Sequence, residues 1–143
     1  MVTLAALVDS LTKKLQISQW QISGDSTYQL DVDGSISLTL FTARQRVFII
    51  SAFGQLSDDL IDYPHQLARI YQLALLRASD YQDALITTDK KQMQLQRQLV
   101  LNGLTSDQFE AAISAQLNYA DELLLIIQQS HSQKLTNSNV WFP

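Results

Sequence analysis

YQLDVDGSISLTLFTARQRVFIISAF, Tyr28 to Phe53, is the stretch that decides the fold. Tyr28, Leu30, Ile36, Leu38 and Leu40 alternate with mostly polar residues, the period of strands that bury one face. A two-residue turn at Asp33-Gly34 would set Leu30 opposite Ser37 and mix the faces. A three-residue loop of Val32, Asp33 and Gly34, with Gly34 left-handed, instead pairs Leu30 with Ile36 and Tyr28 with Leu38, and this register is expected. Ala43 to Arg46 then turn the chain into Val47 to Phe53, which is apolar on both faces. Such a strand is expected to be covered on both sides.

Working outward toward the N-terminus, Leu4, Leu7, Val8, Leu11 and Leu15 recur at helical spacing, predicting a helix over Thr3 to Leu15 with one apolar stripe. Lys13 and Lys14 suit the negative end of its dipole. Residues 16–26 read as a connection in which Trp20 and Ile22 form a short extended segment.

Toward the C-terminus, Pro64 marks a first helical turn, and Leu67, Ile70, Tyr71, Ala74 and Ala78 make one stripe. Leu73 and Leu76 project off that stripe, which leaves them for a second subunit. Ala84 to Thr88 and Gln92 to Leu101 form a hairpin through Asp89, Lys90 and Lys91. Met93, Leu95, Leu99 and Leu101 share one face of its second strand, interrupted by Arg97, while Gln94, Gln96, Gln98 and Val100 share the other. Arg97 is either a snorkelling edge residue or half of an ion pair with a partner chain. Thr105 and Gln108 have capping-box spacing, and Leu104 and Phe109 are placed as a hydrophobic staple. The helix that follows is expected to run to about Gln129. The polar segment Ser130 to Pro143 reads as a flexible tail with an apolar end, Val140-Trp141-Phe142. The sum is a single α+β domain over 1–129, in the order α-β-β-β-α-β-β-α, with an antiparallel sheet packed with helices, dimeric, and a tail over 130–143.

The 143 residues are 46% hydrophobic and 17% charged, with a net charge of -4 and no cysteine. One domain of this length buries a self-sufficient core. Its acidity gives it little attraction for nucleic acid or anionic lipid, and no apolar run is long enough to span a bilayer. The absence of cysteine excludes disulfides and thiolate chemistry. His65 and His131 have no companions at metal-ligand spacing, and Asp58-Asp59 and Asp121-Glu122 read as solvated acids and not as a catalytic pair. There is no phosphate-binding glycine motif, no G-x-S-x-G and no H-E-x-x-H. No enzyme activity, cofactor or metal is expected. The acidic N-terminal helix is unlike a secretory signal, which points to the cytosol. A sheet and helices with more apolar surface than one subunit buries mark an interaction protein.

The order of elements resembles that of the class I type III secretion chaperones, the CesT/SycE-like family, over residues 3 to 129. The resemblance rests on the first helix around Leu4-Leu7-Val8-Leu11, the run quoted above, the helix HQLARIYQLALLRAS, the hairpin ALITTDKKQMQLQRQLVL and the final helix. The second and third strands and the final helix look like the Spa15/InvB-like subgroup, and the helix ISAQLNYADELLLII and the aromatic tail look like the YscB-like one. Both readings stay open. The resemblance implies a bacterial, cytosolic dimer without ATPase activity. It would hold the N-terminal segment of a secreted effector or gatekeeper in extended form, as a homodimer or as a heterodimer with a second small chaperone. Client-binding candidates are Leu4, Leu7, Leu11, Tyr28 and Phe41, and dimer-interface candidates are Leu73, Leu76 and Arg97. The alternative is a dimeric regulatory or structural adaptor that holds no client.

Overall fold

The computed structural model describes residues 2–16, 20–24, 26–56, 62–79, 82–88 and 90–140, without the side chains of 62, 63 and 130–140. In chain order the elements are α1 (Leu4–Leu15), β1 (Gln21–Ser23), β2 (Thr27–Val32), β3 (Ile36–Ala43), β4 (Arg46–Gln55), α2 (Asp62–Arg77), β5 (Ala84–Thr87), β6 (Gln92–Val100) and α3 (Ser106–Val140). The strands make one antiparallel sheet in the order β1-β2-β3-β4-β6-β5. This is the α+β architecture expected, with β1 as the short extended segment at Ile22.

The β2–β3 register differs from expectation by two residues. Tyr28 pairs with Leu40, Leu30 with Leu38 and Val32 with Ile36, so the loop is Asp33-Gly34-Ser35. Asp33 and Gly34 both have positive φ, and the Ser35 N–H donates to the Val32 carbonyl at 3.2 Å. The tight turn therefore sits one residue later than expected, and Val32 joins the ladder. Because side chains alternate with period two, a slip of two preserves every face, and the expected inner residues remain inner. The next hairpin turns on Arg44 and Gln45, both at positive φ although neither is glycine. The Gln45 carbonyl accepts from the Leu101 N–H at 3.0 Å, which anchors that turn to the far end of β6.

All three helices lie on one face of the sheet. α1 contributes Leu4, Leu7, Val8 and Leu11 to a core with Tyr28, Leu38, Leu40, Val47 and Ile49, closed by Phe109, Ala112 and Ile113 of α3. α2 contributes Ile70 to a second core with Ile36, Phe53, Met93 and Leu95, closed by Tyr119, Ala120, Leu123 and Ile127 of α3. α3 thus ties both ends of the sheet together. Its close approach depends on Gly54, where a Cβ would lie 3.0 Å from Cδ1 of Ile127. A buried clip sits between the cores. Gln116 accepts from the Ser51 hydroxyl and donates to the Ile49 carbonyl at 3.0 Å and to Asp83 Oδ1 at 2.9 Å.

Three expectations are corrected. The outer face of β4 (Phe48, Ile50 and Ala52) is only half-buried, and none of the outward-facing residues among those described is fully buried. The chain therefore covers β4 on one side only. On α2 the packed side runs through Gln66, Leu67, Ile70 and Leu73, while Tyr71 is 45% exposed. Leu73 is thus turned toward the core and Tyr71 away, because the stripe centres on Ile70 and residues one position further along turn about 100° out of it. Finally, α3 does not stop near Gln129 but continues to Val140. No glycine or proline stands between Leu104 and Phe142, so nothing in the backbone chemistry ends the helix there. The Trp141-Phe142 part of the apolar end lies outside the described residues.

At its start α3 has the expected cap. The Gln108 N–H donates to Thr105 Oγ1 at 3.1 Å, and Gln108 Oε1 accepts from the Thr105 N–H at 3.2 Å. Leu104 and Phe109 are both buried in the first core. Among the described residues no helix is long and apolar enough to cross a membrane.

Candidate client groove and helix stripe

An apolar groove of about 410 Å³ opens where the C-terminal half of α1, the end of β2 and the middle of α3 meet. Leu11 and Leu15 form one wall, Leu30, Val32 and Leu38 the floor, and Ile113 and Leu117 the other wall. Leu15 is 49% exposed, so the groove carries apolar surface that the fold leaves in contact with water. Burying such a side chain contributes about 1.5–3 kcal/mol.

Beside the groove runs the end of β2. β1 pairs with Thr27, Tyr28 and Gln29 of β2 and, among the described residues, no strand pairs with the outer edge of Leu30, Asp31 and Val32. α1 is fixed beside it by the Thr3 cap, by Lys14 Nζ at 2.8 Å from Glu110 of α3, and by Trp20 Nε1, which donates to Thr12 at 2.9 Å. The hydrogen bond and charge of Glu110 raise the Lys14 pKa above its ordinary value.

The sequence candidates for client binding fall mainly inside the core. Leu4, Leu7 and Leu11 are each 4% exposed and Tyr28 is 9% exposed. Leu11 alone among them lines the groove. Phe41 is elsewhere, on the outer face of the sheet, stacked on Phe48 with ring centroids 4.9 Å apart. Leu15, Leu30 and Leu117 escaped the sequence analysis as site residues. Leu15 ends its helical stripe, where the sheet below it has run out, and that position was the available signal.

The second apolar surface lies on α2. Leu75 and Leu76 are 79% and 75% exposed, and Tyr71 and, on α3, Leu125 are also exposed. Arg77 Nε at 3.1 Å from Glu122 holds the two helices together here. Of the three interface candidates, Leu76 is on this surface and Leu73 packs inward. Arg97 finds partners within the chain, donating to Gln82 at 3.3 Å and placing its charge near Asp83. The Asp83 carboxyl is pushed above its ordinary pKa by burial, which outweighs the opposing effects of the Gln116 hydrogen bond and Arg97.

Among the described residues no three His, Asp or Glu side chains are grouped to hold a metal. The geometry suits protein binding.

The fold is shared with several solved structures. The chaperone–effector complex of HopA1 and SchA is 18% identical with a TM-score of 0.60, covering 84% of this chain and 91% of that one. The Yersinia pestis type III secretion chaperone SycH, solved with a fragment of YscM2, is 15% identical with a TM-score of 0.61, covering 85% and 99%. The ExoU-SpcU heterodimer of the Pseudomonas aeruginosa type III secretion system matches at 12% identity and a TM-score of 0.63, covering 85% and 98%. No curated protein matches significantly by sequence. A family profile, however, spans both cores, the groove and α2, matching residues 6–124, and the chain belongs to the Tir chaperone protein (CesT) family.

Proposed function

We propose that this protein is a cytosolic chaperone of bacterial type III secretion that binds the N-terminal segment of a secreted effector or gatekeeper in extended form. The observation that carries the reading is the apolar groove between α1, β2 and α3. Its apolar walls suit the side chains of an extended, unfolded segment, which can seat them in turn along the groove. The similar structures of SchA, SycH and SpcU are complexes with protein partners, which supports the reading.

The working unit is the domain 1–129, with 130–143 as an appendage. It dimerises through α2, with Leu76 and its neighbour Leu75 at the centre. A homodimer is the simplest assembly, and a second small chaperone offering a similar apolar helix would form a heterodimer on the same surface. Leu73 acts by holding α2 in place, and Arg97 by steadying the start of β5. Leu4, Leu7, Leu11 and Tyr28 contribute to client capture through the groove they support, while Phe41 offers a separate apolar contact on the outer face. Holding a segment requires neither catalysis nor nucleotide.

The exposed α2 leucines also favour the adaptor reading, since dimerisation alone would account for them. Calorimetry separates the two. Titrating the N-terminal hundred or so residues of a co-purified secreted protein should give a strongly negative heat-capacity change, because ordering an unfolded segment buries a large apolar area. A dimer that binds no such fragment, or binds only with ATP, would contradict the chaperone reading.

A further inference from the structure

The face of the sheet turned away from the helices is built without charge at its centre. The strand registers lay out three short rows there, running across β3, β4 and β6. Phe41, Phe48 and Gln98 form the first row, Thr39, Ile50 and Gln96 the second, and Ser37, Ala52 and Gln94 the third. None of these residues is ionisable, although solvated protein surface is ordinarily rich in Lys, Arg, Asp and Glu. Asp31 and Arg46 stand only at the margins, one strand from Ser37 and two residues from Phe48. Among the described residues no element lies over the rows, since all three helices pack on the other face.

The rows also differ in height. Two stacked phenylalanines raise the first, serine and alanine leave the third low, and Ile50 stands midway between them. A second copy turned about a two-fold axis that crosses the strands at Ile50 would bring the high row of each copy onto the low row of the other. Phe48 then lies over Ala52 and Phe41 over Ser37, the alternation of large and small that lets two layers interdigitate. The glutamines of β6 meet glutamines, whose amides both donate and accept. We infer that two copies of this chain pair through these outer faces, as aligned sheets about 10 Å apart. An acidic chain meets its own copy with least repulsion on a face that carries no charge. At about 16 Å² of sheet plane per residue, six strands of these lengths offer roughly 600 Å² per copy. The two faces together reach roughly 1,200 Å², the lower end of what a stable specific interface buries. The pairing is therefore weak and belongs to concentrated protein. Because α2 lies on the opposite side of the sheet, the pairing doubles whatever unit α2 makes. Phe41 is shared with the proposed client surface, so a client that reaches it displaces the second copy.

Sedimentation of the full-length protein from about 5 µM to about 0.5 mM tests the pairing, since a face of this size associates weakly. The mass should double toward the upper end of that range. Ile50→Lys sets two like charges together on the axis and should weaken the doubling by about tenfold or more, with an unchanged melting temperature showing that the variant is folded. Phe48→Ala and Ala52→Phe should each weaken it by spoiling the fit. The double variant F48A/A52F exchanges the high and low positions and should recover most of the association. Within one chain these two side chains are about 13 Å apart along β4, so recovery reports a contact between copies. A mass that stays constant over the range would overturn the pairing, as would a doubling that survives Ile50→Lys or a double variant no better than the single ones. A constant mass together with weaker capture of a co-purified client fragment by Ile50→Lys would give the face to the client instead.

Discussion

The two ends of the sheet leave apolar surface exposed in different shapes. At the α1 end, Leu4, Leu7, Val8 and Leu11 are buried, and the residual apolar surface is concave, backed by a strand edge. At the α2 end, Leu75 and Leu76 stand out from the helix, whose own packed side is already satisfied by Ile70 and Leu73. A concave apolar surface suits an extended, unfolded chain. A protruding helical stripe needs a partner whose complementary surface is already folded, as a second subunit provides. On the proposed reading, the same excess of leucine and isoleucine serves two kinds of partner, and secondary structure decides which.

The sharpest way to break this comparison is Leu75→Asp with Leu76→Asp. Each lost burial removes about 1.5–3 kcal/mol from the interface, so sedimentation should show monomers at concentrations where the parent is a dimer. The melting temperature of each protomer should change little, since both positions are exposed. A variant that remains a dimer would take the α2 stripe out of the interface.

Next in size is the contrast within α1. Leu7→Ala should cost about 2–5 kcal/mol of stability in denaturant titrations, because it opens a cavity under the sheet. Leu15→Asp should leave stability nearly unchanged and weaken capture of a client fragment. If both variants lose stability alike, Leu15 belongs to the core and the groove is no binding surface.

A smaller effect is expected at Gly54, where an added Cβ meets Ile127 and Leu124 of α3. Gly54→Ala should cost about 1–3 kcal/mol by overpacking. The disturbance should be confined to the α2 end, and hydrogen exchange should report faster opening there than around the groove. Uniform opening would show that α3 couples the two ends into one unit.

The smallest effect concerns Asp83. Its carboxyl has a raised pKa, so folding disfavours its ionised form, and that penalty is present above the raised value and fades as the pH falls through it toward the ordinary 3.8. Asp83→Asn should therefore raise the melting temperature slightly at pH 7, with the gain shrinking as the pH is lowered toward 4. A variant less stable at pH 7 would show that the charge contact with Arg97 outweighs the burial.

Periodicity made most of this architecture legible in the sequence. The alternation from Tyr28 to Phe53 gave the strand faces correctly even though the hairpin register was two residues out, because local pattern determines parity whereas the turn decides which parity-preserving register forms. The stripe on α2 was harder to place. Gln66 and Leu73 are turned inward while Tyr71 is not, and on a helix whose apolar residues spread beyond one stripe the sequence does not say which side meets the sheet. The extent of α3 beyond Gln129 was missed because its polar residues have no periodicity, although none of them breaks a helix. The groove was visible only through Leu11. Its other walls come from segments far apart in sequence, which no local residue pattern brings together.

The most direct measurement of the two-surface account is amide hydrogen exchange of the full chain, alone and bound to a co-purified client fragment. The account predicts new protection at Leu30 to Val32 and along the groove side of α1, with no change over residues 70–77 of α2, already shielded in the dimer. Protection gained on α2 with none at Leu30 to Val32 would contradict it.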